Sequence, residues 1–84
     1  NVRELMSLSG GFTLEDLRAP EAWVGRTLKQ LDVRRKHNVS ILLVSRTGEA
    51  PLTPNADTLI NRGDALLVLG MKDDVESVER LTQG

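Results

Sequence analysis

The chain has 84 residues, with 11 Lys and Arg against 12 Asp and Glu, a net charge of -1; that length holds one small domain, and that balance gives no electrostatic affinity for nucleic acid or an anionic membrane. Hydrophobic residues are 39% and charged residues 27% of the chain, a globular rather than a disordered composition. Cysteine is absent, which excludes disulfides and thiolate metal sites, and Phe12 and Trp23 are the only aromatics, too few for stacking on nucleic-acid bases.

Residues 1–11 read as a leading segment or linker, ahead of a domain over residues 12–84. Val2, Leu5 and Met6 have helical spacing, yet Ser9, Gly10 and Gly11 follow at once, so the segment reads equally as a helical turn or as a short strand. A first residue of Asn1 rather than Met points to a piece of a longer protein, and no signal peptide is visible. Phe12, Leu14 and Leu17 suggest a half-buried strand whose alternation slips near Asp16, and Pro20 stops it. Thr27-Leu28-Lys29-Gln30 matches a capping box, with Thr at the N-cap and Gln at N3. Val24, Leu28 and Leu31 form one apolar stripe, and Arg34, Arg35, Lys36 and His37 suit the negative end of the helix dipole. The spacing therefore predicts a helix over 28–36, with Asn38 as a left-handed cap.

Val39 to Ser45 follows as a strand, with Thr47-Gly48-Glu49 as a turn. Ala50 to Pro54 reads as a short edge strand, because Pro51 and Pro54 cannot donate to a ladder. Asn55 to Asp64 is polar punctuation around Leu59 and Ile60. Ala65 to Met71 carries the strongest strand pattern. Asp73 then caps a second helix that buries Val75, Val78 and Leu81 and ends at Gly84. The implied architecture is α+β: a two-layer domain, its sheet mixed but mostly antiparallel, with two helices on one face. A helix between two strands is a βαβ-like crossover. Residues 41–44 and 65–69 are apolar on both faces, although a sheet covered on one face should alternate. The uncovered face needs a partner, and a second copy of the chain is the simplest one. The longest apolar runs fall far short of the ~20 residues that span a bilayer.

Little here carries catalytic chemistry. His37 is the only histidine and has no HxxxH or Ser-His-Asp companions, so it reads as a basic helix end. Asp73, Asp74, Glu76 and Glu79 lack calcium-loop spacing and read as dipole complements at a helix start. Arg62-Gly63-Asp64 spells an adhesion tripeptide, but its Gly-Asp is a turn leading into a buried strand. Gly10, Gly11 and Gly25 form no phosphate-cradling loop, so an NADH or ATP site is not expected in this piece. Arg34-Arg35-Lys36-His37 is the only concentrated charge. It reads as a solvated helix end or as an anion site, since guanidinium holds phosphate bidentately.

Taken together, Val24-Gly25-Arg26-Thr27-Leu28, Leu31-Asp32-Val33-Arg34, Val39 to Ser45, Pro54 to Asp57 and Arg62-Gly63-Asp64-Ala65-Leu66-Leu67-Val68-Leu69-Gly70 follow one ordered pattern. It resembles the C-terminal domain of RCK proteins, the TrkA-C domain, over about Phe12 to Leu81. The resemblance implies a non-enzymatic, ligand-sensing regulatory domain that pairs as a homodimer. In that family a nucleotide-binding domain precedes it, and a cytoplasmic ring at the inner face of the membrane gates a potassium channel or transporter subunit. Some Ktr-type members bind cyclic di-AMP between paired domains. The positions that match their pocket are Leu28, Val33, Arg34, Lys36, Val39, Ser40 and Pro54, with Arg34 toward phosphate and Leu28, Val33 and Pro54 toward the base. Ser40 stands where the family has Asn, and Lys36 where it has a small residue. The resemblance implies no resident cofactor or metal in this piece, and no membrane insertion of its own. The module also occurs in other transporters and in transcription regulators, where it serves as a ligand-binding domain. An upstream Rossmann motif would favour the transport reading, an upstream helix-turn-helix the regulator.

Overall fold

The computed structural model describes residues 2–83. Four strands form one sheet: β1 (Val2–Ser7), β2 (Phe12–Arg18), β3 (Val39–Ser45) and β4 (Ala65–Met71), in the order β1-β2-β4-β3. Two short helices, α1 (Leu28–Leu31) and α2 (Val33–Lys36), lie between β2 and β3, and α3 (Lys72–Gln83) follows β4 directly. The α+β two-layer plan read from the sequence is the one observed. Every ladder is antiparallel. The crossover is present as well: β2 and β3 run the same way but are separated by β4, which pairs with both.

The leading segment, open to helix or strand in the sequence, is the edge strand β1, with a bulge between Glu4 and Met6. Other expectations change. Residues 50–54 form no strand; Leu52 makes an isolated bridge to Val44 through two backbone bonds of 2.9 and 3.0 Å, because Pro51 and Pro54 offer no N–H for a longer ladder. The helix expected over 28–36 breaks at Asp32, which adopts φ 49°, a left-handed conformation that a short polar side chain tolerates. Strand β2 does not slip near Asp16. It pairs with β4 without interruption, and Thr13, Glu15 and Leu17 face the helices while Phe12 is exposed and Leu14 half-buried. Asp73 sits inside the first turn of α3 rather than at its cap. Gly84, expected to end that helix, lies outside the described residues.

The core is one layer of aliphatic contacts. Leu17, Val39, Val44, Leu66 and Val68 from the sheet meet Leu31, Val33, Val75 and Val78 from the helices, with Trp23 and Ile60 closing the end. Full burial of each such side chain stabilises by about 1.5–3 kcal/mol. By alternation, Met6, Leu14, Leu43, Leu67 and Leu69 occupy the opposite face, exposed or half-buried. This is the apolar uncovered face anticipated from the doubly apolar runs. Leu42 belongs to neither face, since a bulge between Ile41 and Leu43 displaces it from the β3 ladder.

The long excursion between β3 and β4 is fixed by one ion pair, half-buried at Arg46 and buried at Asp64. Arg46 Nε donates to Asp64 Oδ1 at 3.0 Å, and Arg46 Nη2 donates to Asp64 Oδ2 at 3.2 Å and to the Leu59 carbonyl at 2.5 Å. Asp64, 2% exposed, also accepts from the Asn61 N–H at 2.8 Å. Bonding to Asp64 raises the pKa of Arg46 above its ordinary value. Gly63 supplies the positive φ, 87°, that turns the chain into this pair. The Asp of Arg62-Gly63-Asp64 is therefore a fold anchor and not an adhesion contact. Asp64→Ala leaves Arg46 without its buried counter-charge. We expect it to lower the unfolding free energy by about 3–5 kcal/mol, measured by urea denaturation.

Candidate functional site

Helix α1 is short, and its first turn is held from outside. Thr27 Oγ1 accepts from the Gln30 N–H at 3.2 Å, and Gln30 Oε1 accepts from the Thr27 N–H at 2.9 Å, which completes the predicted capping box. The two donors ahead of Gln30 are taken by the excursion loop: Leu28 N–H donates to the Thr58 carbonyl at 3.1 Å and Lys29 N–H to the Ala56 carbonyl at 2.9 Å. That loop folds on itself, with Asp57 N–H donating to Asn55 Oδ1 at 2.8 Å and Asn55 N–H to Thr58 Oγ1 at 2.9 Å. It lays Pro54, Asn55 and Ala56 beside α1.

Between this loop, α1, α2 and β3 lies an open cleft of about 350 Å³. Five of the seven residues singled out from the sequence line it: Leu28, Val33, Arg34, Ser40 and Pro54. A second cleft of about 380 Å³ adjoins it and shares Arg34 and Ser40. Val39 lines that neighbour while its side chain is buried in the core, 2% exposed. Lys36 is exposed at the end of α2 and lines neither. Sequence reasoning missed Lys29, Asp32, Ile41, Leu42, Asn55 and Ala56 in the first cleft. The bulge directs Leu42 to this cleft, and nothing in a run of four apolar residues announces a bulge. Asn55 falls in the polar stretch Thr53-Pro54-Asn55, whose composition marks a loop.

The electrostatics separate the neighbouring cations. Arg35 Nε donates to Asp32 Oδ2 at 2.5 Å, so Arg35 and the cleft's one carboxylate are occupied with each other. Arg34 forms no salt bridge among the described residues. The α1 N–H groups are all bonded within the chain, so the start of α1 offers an anion no free donor. The cleft thus offers Arg34, with Lys29 at its wall, over an apolar floor of Leu28, Val33 and Pro54. No group of three or more His, Asp or Glu side chains is arranged to hold a metal among the described residues, and no described helix is long and apolar enough to cross a membrane.

The family model for the TrkA-C domain matches residues 13–83. The chain belongs to the TrkA-C domain family. Ktr system potassium uptake protein C of Bacillus subtilis (strain 168) is 31% identical over 80 residues, 95% of this chain and 36% of that protein; the chain therefore spans about a third of its relative. The RCK C domain of the potassium transport protein KtrA, solved in complex with cyclic diadenosine monophosphate, aligns with a TM-score of 0.74 and 26% identity over 82% of this chain and 81% of that one. The GsuK RCK domain aligns with a TM-score of 0.78 at 19% identity, over 99% of this chain and 18% of that one, a likeness of fold.

The capping box holds the first turn of α1, one wall of the cleft. Thr27→Ala should cost about 1 kcal/mol of stability and raise the hydrogen-exchange rate of the Gln30 amide more than those of the sheet, as read by NMR.

Proposed function

We propose that the chain is a ligand-sensing, dimerising regulatory domain of a cytoplasmic potassium channel or transporter regulator, and that it binds cyclic di-AMP in the cleft beside Arg34. The observation that carries this reading is the cleft itself, where an unpaired guanidinium stands over three apolar side chains. The cyclic di-AMP complex of the KtrA domain supports the choice of ligand. A cyclic dinucleotide has two equal halves, so two copies of one cleft about a two-fold axis present matching residues to each half. Arg34 binds phosphate through charge-assisted hydrogen bonds. Leu28, Val33 and Pro54 pack against the base, and Ser40 contributes its hydroxyl. The apolar face of Met6, Leu14, Leu67 and Leu69 supports association of two copies. Bound ligand favours one mutual angle of the pair, and differential affinity for that angle biases a gate.

Light scattering at tens of micromolar tests the pairing, with about twice 9.3 kDa expected; a clean monomer would remove the two-fold site. Titration calorimetry with cyclic di-AMP tests the cleft. Losing charge-assisted bonds of roughly 1.5–3 kcal/mol each from both copies, Arg34→Ala should weaken binding by about two to four decades. Lys36→Ala, outside the cleft, should change affinity by less than about threefold. Equal affinity of wild type and Arg34→Ala would take Arg34 out of the site. No binding by wild type at ~100 μM, near -5.5 kcal/mol, would leave a dimerisation module without this ligand.

A further inference from the structure

Glu15 departs from the character of the face it occupies. It lies in the middle of β2, 2% exposed, on the helix-covered side, opposite Val68 of β4 and Glu4 of β1. Its Oε2 accepts the Thr13 hydroxyl at 3.2 Å, while its Oε1, fully buried, has no donor. Glu79 of α3 brings its carboxyl within hydrogen-bonding reach of Glu15. Two ionised carboxylates have no hydrogen to share and repel each other. A bond between them needs one proton, held where the buried Glu15 carboxylate already lacks a donor at Oε1.

We propose that Glu79 keeps a proton that it donates to Glu15, and that this bond latches α3 onto the sheet. The surrounding charges keep the proton there. The bond to Glu15, then burial, then the charges of Glu15 and Glu76 push the Glu79 carboxyl up from its ordinary 4.5 to about 7, against the opposing pull of Lys72. Lys72 is itself committed to Glu4, its Nζ donating to Oε2 at 3.2 Å, and Glu4 Oε2 competes with Glu15 Oε2 for the one Thr13 hydroxyl proton, each lying 3.2 Å from Thr13 Oγ1. No other cation faces the pair among these residues, so loss of the proton leaves two carboxylates opposed in a poorly solvated seam. The latch reaches the second cleft. Asn38 Nδ2 donates to Asp74 Oδ2 at 3.1 Å, and Val75 packs at Gly70, a residue that lines that cleft. The seating of α3 is therefore felt at the cleft's rim.

The test is a pH titration of the chain, read by carbon-detected NMR of Glu carboxyls and by melting temperature. One Glu carboxyl should titrate with a midpoint near 7, and the amides of Asn38 and Gly70 should move with the same midpoint. Because the folded chain retains a proton that the unfolded chain has lost, stability falls as pH rises from 4.5 to about 7 and levels above it. A drop of at least about 5 °C is expected over that range. Glu79→Gln keeps a donor toward Glu15 without a titrating proton and should flatten this slope; comparison with wild type subtracts every other titrating group, His37 included. Should Glu15→Gln fail to fold, the wild-type titration and Glu79→Gln decide alone. An unchanged slope in Glu79→Gln, or no Glu carboxyl titrating above about pH 5.5, overturns the latch. A melting temperature at pH 8 raised by millimolar magnesium or calcium in wild type but not in Glu79→Gln would overturn it as well, by assigning the pair to a cation.

Discussion

The pair formed by Arg46 and Asp64 is the constraint on which the site depends. It joins the end of β3 to the start of β4, so the whole excursion between them returns to one fixed point. With both ends fixed, Ile60 is driven into the core beside Trp23, and the segment ahead of it runs antiparallel to the start of α1 through the Thr27–Leu59 bridge. The carbonyls of Ala56 and Thr58 then meet the N–H groups of α1. A buried ion pair is seldom a net source of stability against an apolar replacement. Its contribution here is positional: it chooses one path for a polar segment that has few apolar side chains to choose with.

The second determinant is the break between α1 and α2. The left-handed Asp32 ends α1 after one turn and lets α2 begin in a new direction. Its carboxylate then takes Arg35, and the remaining guanidinium is left to the cleft. The same residue thus shapes the wall and sorts the charges. Local polar chemistry rather than helix propensity decides the geometry, as expected for helices too short to be stable alone.

Much of this was legible because its causes are local. The capping box at Thr27 and Gln30, the strands at Val39–Ser45 and Ala65–Met71, and the stop at Asn38, with φ 59°, follow from neighbours in sequence. Leu28, Val33 and Arg34 share a cleft because they sit on one short crossover, and their proximity could be read from spacing and resemblance. What was hidden depends on distant partners. The facing of β2 could not be read, since two of its three inward positions, Thr13 and Glu15, are polar and only Leu17 is apolar. Lys36 stands two residues after Arg34 on α2, about 200° around the helix, and so it points away from the cleft that Arg34 lines. The irregular path of residues 50–54 follows from a single bridge to Val44, which two prolines mask in the sequence.

The strand order has a consequence for the birth of the fold. Strand β4 is central, and both β2 and β3 take their hydrogen bonds from it. While the chain is being synthesised, only the β1–β2 hairpin has its partner available; β3 has none until residues 65–71 have been made. Until then Ile41, Leu42, Leu43 and Val44 form an apolar segment with an unpaired backbone, the state in which strands are most prone to pair with the wrong chain. The polar excursion from Arg46 to Asp64 sets the length of that waiting period. It is therefore an interval in time as well as a wall in space, and lengthening it would prolong the exposure even if the finished domain were unchanged.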